Sequence, residues 1–279
     1  MNTEYCFLNG EILPLTEAKV GVEDIGILRG YAIYEGIAAI KGEPFRMGDH
    51  WQRFLDSAHA LNLNIPITED KTIKIIRELN EKNQRGERAN VRIILTGGRA
   101  INGIEYEFEN PTFYILVEKF EPLSKELYER GAKLITYNHL RFMPEHKTTH
   151  YITAVNLQKY RKEEEAVEIL YVRDGEVLEC ATSNIFIVKD GKVITPAENI
   201  LKGITRKVVL EIVAEVGLRQ GERVVLESEL READEVFITS SFKDIVPIIK
   251  IDDYEIGNGK VGPRTADLML QFAKILNSS

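Results

Sequence analysis

The hydrophobic period of this chain changes after Asp49, and a chain that uses both periods must build a core from strands and helices together. Before that point the apolar residues fall in short, strand-like runs. Asn9-Gly10 separates Tyr5–Leu8 from residues 11–13, a strong hairpin signal. Residues 31–40 form a second strand, closed by Lys41-Gly42. Beyond Asp49, Trp51, Phe54, Leu55, Ala58 and Leu61 share one helical face, and Asp49 and Gln52 are spaced as a capping box. A second helix is predicted over residues 71–81 from Ile73, Ile76 and Leu79, and residues 91–96 and 112–117 read as buried strands.

Gly97-Gly98 through Asn110 is a polar, glycine-containing loop long enough to cover a site. Lys119-Phe120-Glu121-Pro122-Leu123-Ser124 loses all periodicity around a proline, so the expected division is a small domain over residues 1–120, a linker over 121–124 and a larger domain over 125–279. In the second half, strands are predicted at residues 133–137, 166–172, 183–188 and Glu235–Ser240. Helices are predicted at 151–164, at 205–216 with Gly217 as its stop, and at 263–276. No internal repeat or low-complexity tract interrupts this pattern.

Composition excludes several classes. With 44% hydrophobic and 29% charged residues the chain is an ordinary globular mixture. Its net charge of −8 disfavours nucleic acid or an anionic membrane as a partner. No apolar run approaches the roughly 20 residues that span a bilayer, and Met1-Asn2-Thr3-Glu4-Tyr5 lacks the basic start of a secretory signal. Cys6 and Cys180 lie far apart without metal-ligand spacing, as in a reduced cytoplasmic protein with free thiols. Gly97-Gly98-Arg99-Ala100-Ile101-Asn102-Gly103 is not a dinucleotide fingerprint, because no helix follows it. There is no nucleophile elbow, Walker loop or zincin motif. His146 and His150 are four apart, but no third ligand accompanies them, so no metal is expected.

Three segments carry chemistry. Lys147 lies in Pro144-Glu145-His146-Lys147-Thr148-Thr149-His150-Tyr151, just before a predicted helix and outside any charge run. A lysine is ordinarily a solvated surface charge; drawn into a site it becomes a nucleophilic amine that can join an aldehyde cofactor. Glu179 follows the turn at Asp174-Gly175 and precedes an apolar strand. By itself it reads as an exposed strand-end carboxylate, but buried beside a ring nitrogen it would keep that nitrogen protonated. Gly203-Ile204-Thr205 opens an apolar helix, where Thr205 can be a plain cap and the free amides can equally hold a phosphate. Ser240 and Ser241, at a strand end, offer hydroxyl donors or form a turn.

In their order and position these segments resemble the class IV, fold-type IV, pyridoxal-phosphate enzymes, and the resemblance runs from the Asn9-Gly10 hairpin to Gly259-Lys260-Val261-Gly262-Pro263-Arg264-Thr265. That family includes D-amino-acid and branched-chain aminotransferases and aminodeoxychorismate lyases. The resemblance implies two α/β domains with pyridoxal 5'-phosphate in the cleft between them, and a homodimer or larger assembly. It implies Lys147 as the Schiff-base lysine and proton shuttle, Glu179 as the partner of the pyridine nitrogen, and Leu201 against the ring. It places Gly203, Ile204, Thr205 and Ser241 around the phosphate, together with Arg53. The helical wheel alone turns Arg53 away from the apolar stripe and into solvent. Tyr151 matches the tyrosine at the cofactor's phenolic oxygen.

Tyr31-Ala32-Ile33-Tyr34-Glu35-Gly36 is similar to the substrate-side strand of the aminotransferases, with Tyr34 in the pocket. This favours ping-pong transamination between an amino acid and a 2-oxo acid over the lyase reaction. A non-catalytic cofactor-binding or interaction protein that retained the fold is the third reading. D-Amino-acid enzymes of the family carry an arginine directly after the strand threonine and a histidine further along. Here Thr96 is followed by Gly97 and the loop has no histidine, so Arg99 or Arg29 is the expected carboxylate ligand, and Arg29 reads equally as a structural salt-bridge residue near the dimer interface. Chain length and overall similarity favour a D-amino acid, with an L-branched-chain substrate close behind.

Overall fold

The computed structural model describes residues 3–278; Met1 and Asn2 of the chain start, and Ser279, lie outside the described residues. Chain contacts divide it into two units. One holds the chain up to Glu121 together with His146–His150, and the other holds Pro122–Glu145 and Tyr151–Ser278.

The first unit contains β1 (Tyr5–Leu8), β2 (Glu11–Pro14), α1 (Ile25–Arg29), β3 (Ala32–Ile40), β4 (Glu43–Pro44), α2 (Met47–Ala60), α3 (Glu69–Lys82), β5 (Arg88–Thr96), β6 (Ala100–Asn102), β7 (Glu105–Tyr106) and β8 (Thr112–Lys119). Six of the strands form an antiparallel sheet in the order β2-β1-β8-β5-β3-β4. The hairpin predicted at Asn9-Gly10 is there, with Leu8 opposite Glu11 and positive φ at both turn residues. α2 packs on β3, burying Met47, Trp51, Phe54 and Ala58.

Two local expectations change. The capping box at Asp49 and Gln52 does not form. α2 begins earlier, at Met47, after Arg46 in the left-handed region, and Asp49 instead pairs with Arg46 at 3.8 Å in the first turn. The loop over residues 97–110 contains a small hairpin, because β6 and β7 pair across Gly103 at positive φ.

The second unit contains α4 (Lys125–Arg130), β9 (Ala132–Asn138), α5 (Ile152–Asn156), α6 (Gln158–Glu163), β10 (Glu168–Arg173), β11 (Glu176–Cys180), β12 (Asn184–Lys189), β13 (Lys192–Thr195), α7 (Ile204–Ile212), β14 (Arg219–Glu222), β15 (Val225–Leu226), α8 (Glu227–Arg231), β16 (Glu235–Ser240), β17 (Asp244–Ile251), β18 (Tyr254–Glu255) and α9 (Pro263–Asn277). Its sheet runs β14-β13-β12-β16-β17-β9-β10-β11-β15, with β18 on β17. The core gathers Leu134, Leu170, Ile185, Ile187, Val236, Ile238 and Val246 from these strands.

The helix expected over residues 151–164 is two short helices meeting at Leu157, and the Ala154 carbonyl accepts the Gln158 side-chain amide at 2.8 Å. α7 tightens into a 3-10 turn over Val213–Val216 before Gly217 stops it at φ 72. β17 is a strand that residue preference conceals: Pro247 sits within it, opposite Phe237.

Candidate active site

In the first unit Lys147 is held by its backbone. Tyr34 N donates to the Lys147 carbonyl at 3.0 Å, Lys147 N donates to Ser57 Oγ at 3.1 Å, and Thr149 N donates to the Ala32 carbonyl at 3.0 Å. Ile33 and Thr148 form an antiparallel bridge, so the lysine segment lies along β3 like a short extra strand. Lys147 Nζ stands 4.5 Å from the centre of the Tyr34 ring.

Two residues from Ile33 is Glu35, 1% exposed, in the middle of β3. Its oxygens accept from Arg53 Nε at 2.8 Å and Nη2 at 2.7 Å, and from His50 Nδ1 at 2.8 Å. Burial alone would raise the Glu35 carboxyl, but the Arg53 charge and the hydrogen bonds from Arg53 and His50 overcome it and hold the carboxyl at about 2. Burial lowers the His50 value, assisted by the positive charges of Arg53 and Lys147 and opposed by Glu35. His50 is therefore neutral, and because an ionised carboxylate only accepts, its proton is on Nδ1. Arg53 is thus not the solvated residue of the helical wheel. The wheel reports only the face that α2 turns to its own apolar stripe, and β3 supplies a carboxylate to the neighbouring face.

The second unit holds the other residues expected at the cofactor. The Asp174-Gly175 turn reverses β10 into β11 and buries Glu179. Glu179 Oε1 accepts from Arg141 Nε at 2.7 Å and Nη2 at 2.6 Å, while Oε2 accepts from Leu201 N at 3.0 Å. Glu179 is therefore no exposed strand end. The Leu201 carbonyl accepts from Asn184 Nδ2 at 2.7 Å. Gly203, extended at φ −66 and ψ 146, is the N-cap of α7. Thr205 is the second helical residue and not the cap; no side chain caps this terminus. Asn184 explains the glycine, because a Cβ at Gly203 would strike Asn184 Oδ1. Ile204 and Thr205 are buried, and Ser240 and Ser241 are half-buried. Thr239 Oγ1 and Ser240 Oγ are buried without a hydrogen-bond partner among the described residues. Tyr151 packs against the cluster that holds Ile135, Ala154 and Tyr171.

The model of the family described as amino-transferase class IV matches residues 32–251. The chain belongs to the class IV aminotransferases. It is 32% identical over 278 residues to the D-alanine aminotransferase of Staphylococcus haemolyticus, covering 98% of each. It is 34% identical over 279 residues to a putative branched-chain-amino-acid aminotransferase of Methanocaldococcus jannaschii, covering 96% of this chain and 95% of the relative. A T.th. branched-chain amino acid aminotransferase solved with pyridoxamine 5'-phosphate matches with a TM-score of 0.91 at 25% identity, over 99% of this chain and 95% of that one.

In this class IV aminotransferase the two arginines expected at the substrate carboxylate differ. Arg99 is 3.1 Å from Glu23 and 3.8 Å from Glu107. Arg29, exposed at the end of α1, bonds only its neighbour's carbonyl, that of Leu28, among the described residues. Sequence reasoning missed Glu35, His50, Arg141 and Asn184. The signal for the first was present: a charged residue inside the apolar run 31–40 needs a buried partner. Arg141 and Asn184 carry no comparable local signal, because their partners are 38 and 17 residues away. No helix among the described residues is long and apolar enough to cross a membrane.

Proposed function

We propose that this aminotransferase exchanges amino groups between a D-amino acid and a 2-oxo acid by a ping-pong mechanism, using pyridoxal 5'-phosphate. The observation that carries this reading is the fastening of Lys147 along β3, which fixes one amine beside the Tyr34 ring. The residues suit the cofactor. The uncapped N-terminus of α7 and the unpartnered hydroxyls of Thr239 and Ser240 suit a phosphate. Glu179, paired with Arg141, suits a protonated ring nitrogen. When bound, the cofactor supplies a carbonyl for covalent attachment and an electron sink for the bond broken at the substrate α-carbon.

Lys147 holds the cofactor and moves a proton at Nζ. Arg53, Gly203, Ile204, Thr205, Ser240 and Ser241 bind its phosphate, Leu201 packs on its ring, and Tyr151 donates to its phenolic oxygen. Arg141 orients Glu179. Tyr34 lines the substrate pocket. Arg29 is the better-placed carboxylate ligand, since two acidic side chains already draw on Arg99, and the Gly30 carbonyl next to Arg29 accepts from Thr149 at 3.3 Å.

An L-branched-chain substrate is the second reading, favoured by Gly97. A Cβ there would lie 2.8 Å from Ile25 and 3.0 Å from Tyr106, so the arginine of the D-amino-acid pattern has no room. Val22, Ile27, Ile101 and Ile104 are all more than 60% exposed, an apolar surface that a second copy would cover. The working form is accordingly a homodimer, and buried free thiols suit the cytoplasm. Borohydride reduction and peptide mapping test the attachment, and adduct-free Lys147 would sink the reading. A panel of D- and L-amino acids against pyruvate and 2-oxoglutarate assigns the substrate.

A further inference from the structure

The Glu35 carboxylate lies at the centre of a strand, opposite Ile93, where a bidentate arginine and a neutral histidine both reach its Oε2. A buried ion pair is weak support for a fold, since apolar residues of similar volume serve as well or better. What such a pair does provide is direction. An arginine on a flexible stem loses its freedom when Nε and Nη2 are both taken by one carboxylate, and the guanidinium plane is then set. His50 fixes the carboxylate in turn, donating to Glu35 Oε2 without bringing a second charge, and it shares α2 with Arg53 three residues away.

We propose that Glu35 is a positioning residue that acts through Arg53, presetting the guanidinium for the phosphate monoester of the cofactor, with His50 as its hydrogen-bonded support. This rests on the reading of Arg53 as a phosphate ligand. A purely structural carboxylate would affect every ligand alike, whereas a positioning one distinguishes ligands with and without phosphate.

The test is cofactor affinity of the apoenzyme, read by absorbance and protein fluorescence with pyridoxal 5'-phosphate and with pyridoxal. Glu35→Gln keeps the shape and removes the charge. It weakens pyridoxal 5'-phosphate about tenfold and leaves pyridoxal within about twofold. In an Arg53→Ala background the same substitution adds nothing, because its route is gone. Equal losses for both ligands, unchanged affinity, or tighter phosphate binding from the unmasked Arg53 charge would each overturn the proposal. Should Glu35→Gln not fold, Glu35→Asp, one methylene shorter, gives the same comparison. If Arg53→Ala alone spares the phosphate preference, the underlying reading of Arg53 fails, and that result is separate from any obtained at Glu35.

Discussion

Lys147 is an amine whose place is set by main-chain hydrogen bonds, so its side chain can be removed without unfastening the segment. Lys147→Ala is therefore expected to fold, to lose the visible absorbance of covalently held cofactor, and to lose transamination by at least about a thousandfold. Absorbance between 300 and 500 nm and single-turnover assays check this. Glu35 and His50 make a prediction about acid. The folded Glu35 value, about 2, lies below its ordinary 4.5, so its contribution is present above pH 4.5 and is lost as pH falls towards 2. The folded His50 value lies below 6.5, so the unfolded chain takes up that proton first and stability begins to fall below 6.5. The signs agree: stability declines on acidification, with on the order of 3 kcal/mol from Glu35 alone. Thermal denaturation between pH 8 and pH 3 should show this slope, and Glu35→Gln should flatten its lower part.

Single elements depend on a few polar contacts. Asp24 caps α1 through the Gly26 amide at 2.7 Å and also accepts from Thr96 at the end of β5 and Thr112 at the start of β8. One buried carboxylate thus joins a five-residue helix, too short to persist alone, to two strands. Asp24→Ala leaves two hydroxyls without their acceptor and should cost about 2–4 kcal/mol in urea denaturation. At α7 the constraint is space. Gly203→Ala drives a methyl into Asn184 and disturbs its bond to the Leu201 carbonyl. It should destabilise by about 1–3 kcal/mol and weaken retention of pyridoxal 5'-phosphate, as followed by dialysis. The hairpin at Asn9-Gly10, the stop at Gly217 and the body of α2 were legible because each is specified by residues close together in sequence. The start of α2, the break at Leu157 and strand β17 were not, since each is decided by contacts outside the local window.

At the scale of the whole chain, Arg53 and Lys147 belong to the first unit and Glu179 and Gly203 to the second. A cofactor that binds only the folded chain must raise its stability by mass action, by about 2.7 kcal/mol at a hundred times the dissociation constant. Calorimetry with added pyridoxal 5'-phosphate should show that rise, and it should shrink in Lys147→Ala.

From the sequence alone came the alternation of strands and helices, the family, and the proposal of the lysine, the carboxylate and the glycine-opened helix as site residues. Those features are carried by periodicity and by short ordered motifs, which a linear reading preserves. The tertiary structure decided that Glu35 receives Arg53 and His50, that Arg141 pairs with Glu179, and that the Lys147 segment lies along β3. Such pairings join residues between 15 and 117 positions apart. No local propensity encodes them, because a buried charge selects its partner by proximity in space.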